Sequence, residues 1–404
     1  MKKLKIPLRN LFRNKRRTGF SLAIIALGVA ILLATLAFTD EAITSTKRSL
    51  AGDSGAVQIA ATELFEGKTE GFDYLISPED EKIIYSLIRE KPGVVGVTSR
   101  IEFGGLVRHG NKQTTVINRG IVPANCVQDY SCVLAEGKPL DPSNQNGLVL
   151  GQALGEKIGA ETGDSVSISY NDTEGNYSKV SGEVVGLANF SGRQLEEQLT
   201  FTTLSFGQSA LKTEGVGRII VSLEDVDRAG ELASTLEDQL DQRGYELEAR
   251  TWQELNPLYD SLSTFWNAFS GFTYVAVFTL VFFSTLEVLT MSFLERTREV
   301  GTIKAIGTTR WGVFRDFMIE GALVGLLGGL IGIGLGSAIS FGVNVFGITW
   351  KPPGATIPEP LTIRLSFSTI VLPLLAAIFS TLLGSIFPAW KNSRIGITEA
   401  LRGR

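Results

Sequence analysis

The sequence predicts a membrane protein: four transmembrane α-helices plus a large α+β domain inserted between the first and second. Three observations carry that prediction. Four long apolar runs are nearly free of charge, basic residues cluster beside their ends, and acidic residues concentrate between Asp40 and Asp260. The 404 residues are 44% hydrophobic and 20% charged, and a mean hydropathy of only +0.16 results from averaging a polar domain with very apolar runs.

The first run, 18–39, follows a basic arm (1–17) holding Lys2, Lys3, Lys5, Arg9, Arg13, Lys15, Arg16 and Arg17 with no acidic residue. A basic arm directly before an apolar run is a topology signal, so no nucleic-acid partner is expected. The run is too long for a signal-peptide core and reads as a retained anchor. Further spans are expected at 266–294, 321–346 and 367–390, each meeting the requirement of about 20 residues at 1.5 Å rise. The connection 295–320 carries Arg296, Arg298, Lys304, Arg310 and Arg315, and the tail 391–404 carries Lys391, Arg394, Arg402 and Arg404. By the positive-inside rule the arm, this connection and the tail are cytoplasmic. The 40–265 domain and the 347–366 loop then lie outside.

Within the outer domain, strands are expected at Val57–Ala61, Val94–Val107, Thr114–Val122, Ser165–Tyr170, Lys179–Leu187, Ile219–Leu223 and Glu246–Thr251. Helices are expected at Ser77–Lys91 (Ser77 capping, Pro78 in the first turn), Gly147–Ile158 and Val226–Gln242. Asn171–Asn176 reads as a turn. A βαβ-like unit opens the domain and another closes it around a strand-rich insert, giving either two subdomains or one α+β domain. Cys126 and Cys132 suit a small disulfide-closed loop in an oxidising compartment, or two free thiols.

No phosphate-binding G-x-x-x-x-G-K-[ST], nucleophile elbow or H-E-x-x-H is present, and His109 is the only histidine, so no enzymatic activity, cofactor or metal is expected of the chain itself. The third span carries Gly321, Gly325, Gly328, Gly332 and Gly336. Small residues four apart permit close helix approach, either within the chain or at a sliding or dimer surface. Glu287 is a carboxylate inside the second span. It could pair with a basic residue at the cytoplasmic face, contact a partner, or stay protonated. Pro373 is expected to kink the fourth span.

Glu295-Arg-Thr-Arg-Glu-Val-Gly-Thr-Ile-Lys-Ala-Ile-Gly307 closely resembles the signature following the second span of MacB/LolC/FtsX-type (type VII, mechanotransmission) ABC transporter permeases. Leu8–Arg17, Gly147–Gly155 with Gly163-Asp164, and Thr251-Trp-Gln-Glu-Leu-Asn256 resemble other passages of that family. The resemblance implies an inner-membrane subunit, without a fused ATPase, that docks a cytoplasmic ABC ATPase dimer; the ATPase binds ATP and Mg. Glu295, Arg296, Arg298, Glu299, Gly301, Lys304 and Gly307 would form the coupling site, with a coupling helix inside 296–308. The outer domain would divide into a Porter-like part (about 55–108 and 215–252) and a Sabre-like insert (about 109–214). A second permease copy, homo- or heterodimeric, and a periplasmic adaptor or lipoprotein cargo are the other implied partners, besides membrane lipids. The implied activity is lipoprotein release or substrate efflux, with the TWQELN passage leaning towards release. A non-transporting FtsX-like scaffold controlling an outside hydrolase is the alternative.

Overall fold

The computed structural model describes residues 15–67, 72–123, 134–189, 196–350 and 359–402. They form two compact units: one of Met1–Thr44, Leu262–Ile348 and Pro360–Arg404, the other of Ser45–Ser261 with Thr349–Glu359.

Helix α1 (Lys15–Ser54) begins the described chain and is followed by β1 (Val57–Ala61). Helix α2 (Pro78–Arg89) starts where expected, with the Ser77 side chain accepting from the Asp80 N–H and Pro78 in the first turn. Strand β2 (Val94–His109) and strand β3 (Lys112–Ile121) form a long hairpin, and β4 (Leu134–Gly137) follows. The expected helix at Gly147–Ile158 is instead strand β5 (Gly147–Gly151) followed by helix α3 (Gln152–Ile158). All five residues of GLVLG are buried in the sheet. A short apolar run has no period that separates a buried strand from a buried helix.

Strands β6 (Ser165–Asn171) and β7 (Tyr177–Ala188) flank the expected turn, which the Asp172 carboxylate organises by accepting the Glu174 and Asn176 N–H groups. Strand β8 (Leu199–Thr203) and helix α4 (Leu204–Leu211) were not legible in the sequence. Strand β9 (Arg218–Leu223), a 3₁₀ turn at Val226–Arg228, helix α5 (Ala229–Asp241) and strand β10 (Leu247–Thr251) follow. The predicted helix at 226–242 thus forms with a 3₁₀ first turn.

The ten strands join in the order β10-β1-β9-β2-β3-β8-β5-β7-β4, with β6 pairing both β2 and β7. β2 is shared. Its first part, Val94–Arg100, pairs with β9, while Ile101–His109 pairs with β3. Because β6 returns to β2 at Leu106–Arg108, strands β2-β3-β8-β5-β7-β6 close into a six-stranded ring. Closure gives each of those strands a neighbour on both sides over part of its length. Its interior holds Ile101, Phe103, Val107, Leu148, Leu150 and Val184. A separate cluster including Ile59, Ile84, Ile219, Leu236 and Trp252 fills the space between β1, β9, β10 and helices α2 and α5.

The other unit is helical. Helix α6 (Pro257–Ala305), helix α7 (Arg310–Phe346), helix α8 (Phe367–Arg394) and the short α9 (Ile397–Arg402) join the N-terminal part of α1. Among the described residues four helices, α1, α6, α7 and α8, are long and apolar enough to cross a membrane. Pro373 and Pro388 both lie inside an α8 that remains one helix.

The α7 glycines pack within the chain. A Cβ on Gly321 or Gly325 would strike Ser385 or Thr381 of α8. A Cβ on Gly328 would lie 2.7 Å from Ile25 of α1, and one on Gly332 would lie 2.6 Å from the Ala26 carbonyl. Gly336 faces Ala30 and Leu33. The stripe is thus two stripes, one for each neighbour. Gly384 of α8 makes the same kind of approach to α6, where a Cβ would meet the Phe282 carbonyl at 2.8 Å. Gly325→Leu should therefore lower the stability of the purified protein by about 1–3 kcal/mol, the usual cost of overpacking. Gly334→Leu, where a Cβ would meet nothing within 4 Å, should leave the thermal unfolding midpoint in detergent unchanged.

Candidate functional site

The passage Glu295–Gly307 does not form a helix of its own. It is the last part of α6, which ends at Ala305. Gly307, at φ +107°, donates its N–H to the Lys304 carbonyl and closes the turn in a conformation that favours glycine. Thr309 then starts α7, its side chain accepting from the Gly312 N–H at 3.2 Å.

Helical spacing sorts the expected coupling residues into two groups. Arg296, Val300 and Lys304 recur every fourth residue and face inward. Arg296 Nη1 lies 3.2 Å from the buried Glu320 carboxylate of α7, and its Nε lies 3.4 Å from Glu299. Lys304 Nζ donates to the Ser393 carbonyl at 3.0 Å and to the Ile395 carbonyl at 2.5 Å. It thereby satisfies the C-terminal end of α8, where a cation is also favoured by the helix dipole. Desolvation, followed by the charge of Arg310, holds the Lys304 ammonium below its ordinary range. Val300 packs with Val313, Phe317 and Ala389, and Gly301 is buried beside it. Arg296, Gly301, Lys304 and Gly307 therefore shape the junction of α6, α7 and α8.

The outward group includes Glu295 and Arg298, both exposed. Beside them stand three large apolar side chains that the charge pattern did not single out: Ile303, Ile306 and Trp311, with 44%, 82% and 71% of their surface exposed. Trp311 stacks on Phe314 with ring centroids 5.2 Å apart. Arg310 and Arg315 are exposed on the same turn and the start of α7. The sequence signal was available: large apolar residues in a connection too polar to span.

Glu287 is exposed on α6 and among the described residues forms no ion pair. Cys126 and Cys132 lie outside the described residues, as does the arm through residue 14. No group of three or more metal-ligating side chains occurs among the described residues.

In the α+β unit, the TWQELN passage is explained by architecture. Thr251 and Glu254 form a reciprocal capping box. Trp252 is fully buried and Asn256 Nδ2 reaches Ser54 Oγ at 2.9 Å, tying the end of α1 to the chain entering α6. A second polar cluster lies where β2 changes partners. Glu102 on β2 lies 2.6 Å from Arg119 Nε on β3, 3.7 Å from Arg218 Nε on β9 and 3.8 Å from Arg100 Nη1. Burial alone would raise the Glu102 pKa, but Arg119, Arg100 and Arg218 outweigh it and bring it down to about 2.

A model described as the MacB-like periplasmic core domain matches residues 18–239, and one described as the FtsX-like permease C-terminal matches residues 271–397. The chain belongs to this ABC transporter permease family. The lipoprotein-releasing system transmembrane protein LolC of Xylella fastidiosa (strain 9a5c) is 26% identical over 96% of both chains. The macrolide export ATP-binding/permease protein MacB of Escherichia coli (strain K12) is 25% identical over 98% of this chain, which spans 60% of that protein's length. The solved periplasmic region of MacB from Actinobacillus actinomycetemcomitans aligns with 52% of this chain and 95% of that one, at 15% identity and a TM-score of 0.38.

Two outcomes are expected from these contacts. Arg296→Glu and Glu320→Arg should each destabilise the purified permease, by about 3 kcal/mol for a broken buried pair, and the double exchange should recover part of the loss in thermal unfolding. Glu102 stabilises the fold above its unfolded-state pKa near 4.5, and that contribution is lost as pH falls towards about 2. Glu102→Gln should therefore remove this component of acid sensitivity and lower stability at neutral pH. Urea unfolding of the full chain, followed by Trp252 fluorescence between pH 7 and 2.5, measures both.

Proposed function

We propose that this chain is the permease subunit of an ABC transporter of the inner membrane, driven by a separate cytoplasmic ATPase dimer docking on the turn between α6 and α7. The observation that carries the reading is the exposed Ile303, Ile306 and Trp311 flanked by Arg298, Arg310 and Arg315. Large exposed apolar side chains rimmed by charge suit a protein interface. The junction behind them is held by Arg296–Glu320 and by Lys304 on the α8 end. A push on the turn thus reaches three helices together. The basic residues of the arm, turn and tail support a topology with both termini in the cytoplasm and the α+β unit in the periplasm.

Movement would pass along α1 and α6, whose residues belong to both units. Lipoprotein release is the favoured activity, supported by alignment with a LolC over 96% of each chain. Such a subunit works as a dimer, with either itself or a sister permease. ATP and Mg would be bound by the partner ATPase.

Ile306→Asp and Trp311→Ala should each weaken ATPase association at least tenfold while leaving the permease's thermal unfolding unchanged. Co-purification with the ATPase and ATP turnover of the reconstituted complex give the readout. A wild-type chain that associates with no ABC ATPase would overturn the reading.

A further inference from the structure

Strand β2 leaves β9 at Arg100 and meets β6 only at Leu106, so the intervening edge has no neighbour on that side. A cavity of about 690 Å³ opens there, within the volume range of small-molecule sites. Its floor is the cross-strand pair Gly104 and Ile117. Phe72, Tyr74, Glu102 and the turn residues Asn171, Asp172, Thr173 and Gly175 also line it, the Asp172 carboxylate being paired with Lys212 at 2.7 Å. Ile117 keeps 40% of its surface exposed although it sits mid-strand.

Two features of this cavity favour a ligand. Gly104 occupies a strand interior, where glycine weakens the strand and often marks the close approach of a ligand. Its φ is not positive, and a Cβ built there would meet nothing within 4 Å. Nothing in the fold excludes a side chain; the space is simply left open. The second feature is Arg218, which lines the same cavity. Its Nη1 donates to Gln58 Oε1 at 3.0 Å, but its buried Nε has no hydrogen-bond partner and sits 3.7 Å from Glu102. A buried donor left without an acceptor is costly, and a guanidinium is suited to carboxylate or phosphate.

We propose that this cavity binds a small amphipathic organic acid, with its apolar part over Gly104 and Ile117 and its acidic group on Arg218. Glu102 does not exclude such a ligand, because its carboxylate is engaged by Arg119 and faces Arg100 as well. The site lies in the α+β unit and is independent of how the ATPase docks. Its ligand is the transporter's cargo or a regulator of the outer domain.

The test uses the full chain in phosphatidylcholine nanodiscs and three probes of one shape: 2-naphthoate, 2-naphthalenemethanol and 2-naphthylmethylammonium, titrated by calorimetry. Wild type should bind naphthoate at least tenfold more tightly than the ammonium compound. Gly104→Phe should abolish saturable binding with thermal unfolding near that of wild type, and Ile117→Trp fills the same space from the facing strand should the first variant misfold. Arg218→Gln should reduce naphthoate affinity to that of the alcohol. Undiminished binding in both cavity-filling variants, no saturable binding by wild type, or preference for the ammonium probe would each overturn the proposal.

Discussion

The helical unit depends on the close approach of α7 to two neighbours. In a bilayer the hydrophobic effect gives little drive for helices to associate, so contact must come from tight packing and local hydrogen bonds. Glycines at 321 and 325 admit Ser385 and Thr381 of α8, and glycines at 328 and 332 admit Ile25 and Ala26 of α1. With no side chain to hold the helices apart, small polar residues of α8 come into the contact as well. Ser380 donates to the Phe278 carbonyl of α6 at 2.7 Å, so α8 is fixed on both sides.

That packing sets the geometry at the turn. Once α6, α7 and α8 are side by side, the Lys304 stem can deliver its ammonium to the last carbonyls of α8 and Arg296 can meet Glu320. Each charge finds its partner on a different helix, so neither pair could form without the apolar packing above it. The same arrangement pushes Ile303, Ile306 and Trp311 outward, because the inward positions of α6 and α7 are already taken by Val300, Val313 and Phe317. An exposed apolar surface at this turn is therefore a consequence of helix register.

The α+β unit solves a different problem. One long strand, β2, serves two sheets' worth of partners, and the transition between them concentrates polar groups that two hydrophobic cores would each exclude. Arg100 and Glu102 lie on either side of that transition, with Arg218 and Arg119 opposite them. Breaking the ladder there leaves an edge and a cavity, while the closed ring and the Trp252-centred core hold the surrounding strands rigidly in place.

The sequence by itself determined the four apolar spans, the insertion of a large α+β domain after the first, and most of its strands. Spans need about 20 uncharged residues and half-buried strands alternate, so both leave a linear record. It also determined the cap at Ser77, which depends on neighbours within a few residues. Only the tertiary structure decided that GLVLG is a strand, that LTFTT pairs with β3, and that the glycine row serves two helices. It alone assigned Arg296 and Lys304 to the helix junction and left Ile306 and Trp311 exposed. Each of these outcomes depends on which distant segment packs alongside, and spacing along one chain carries no record of that neighbour.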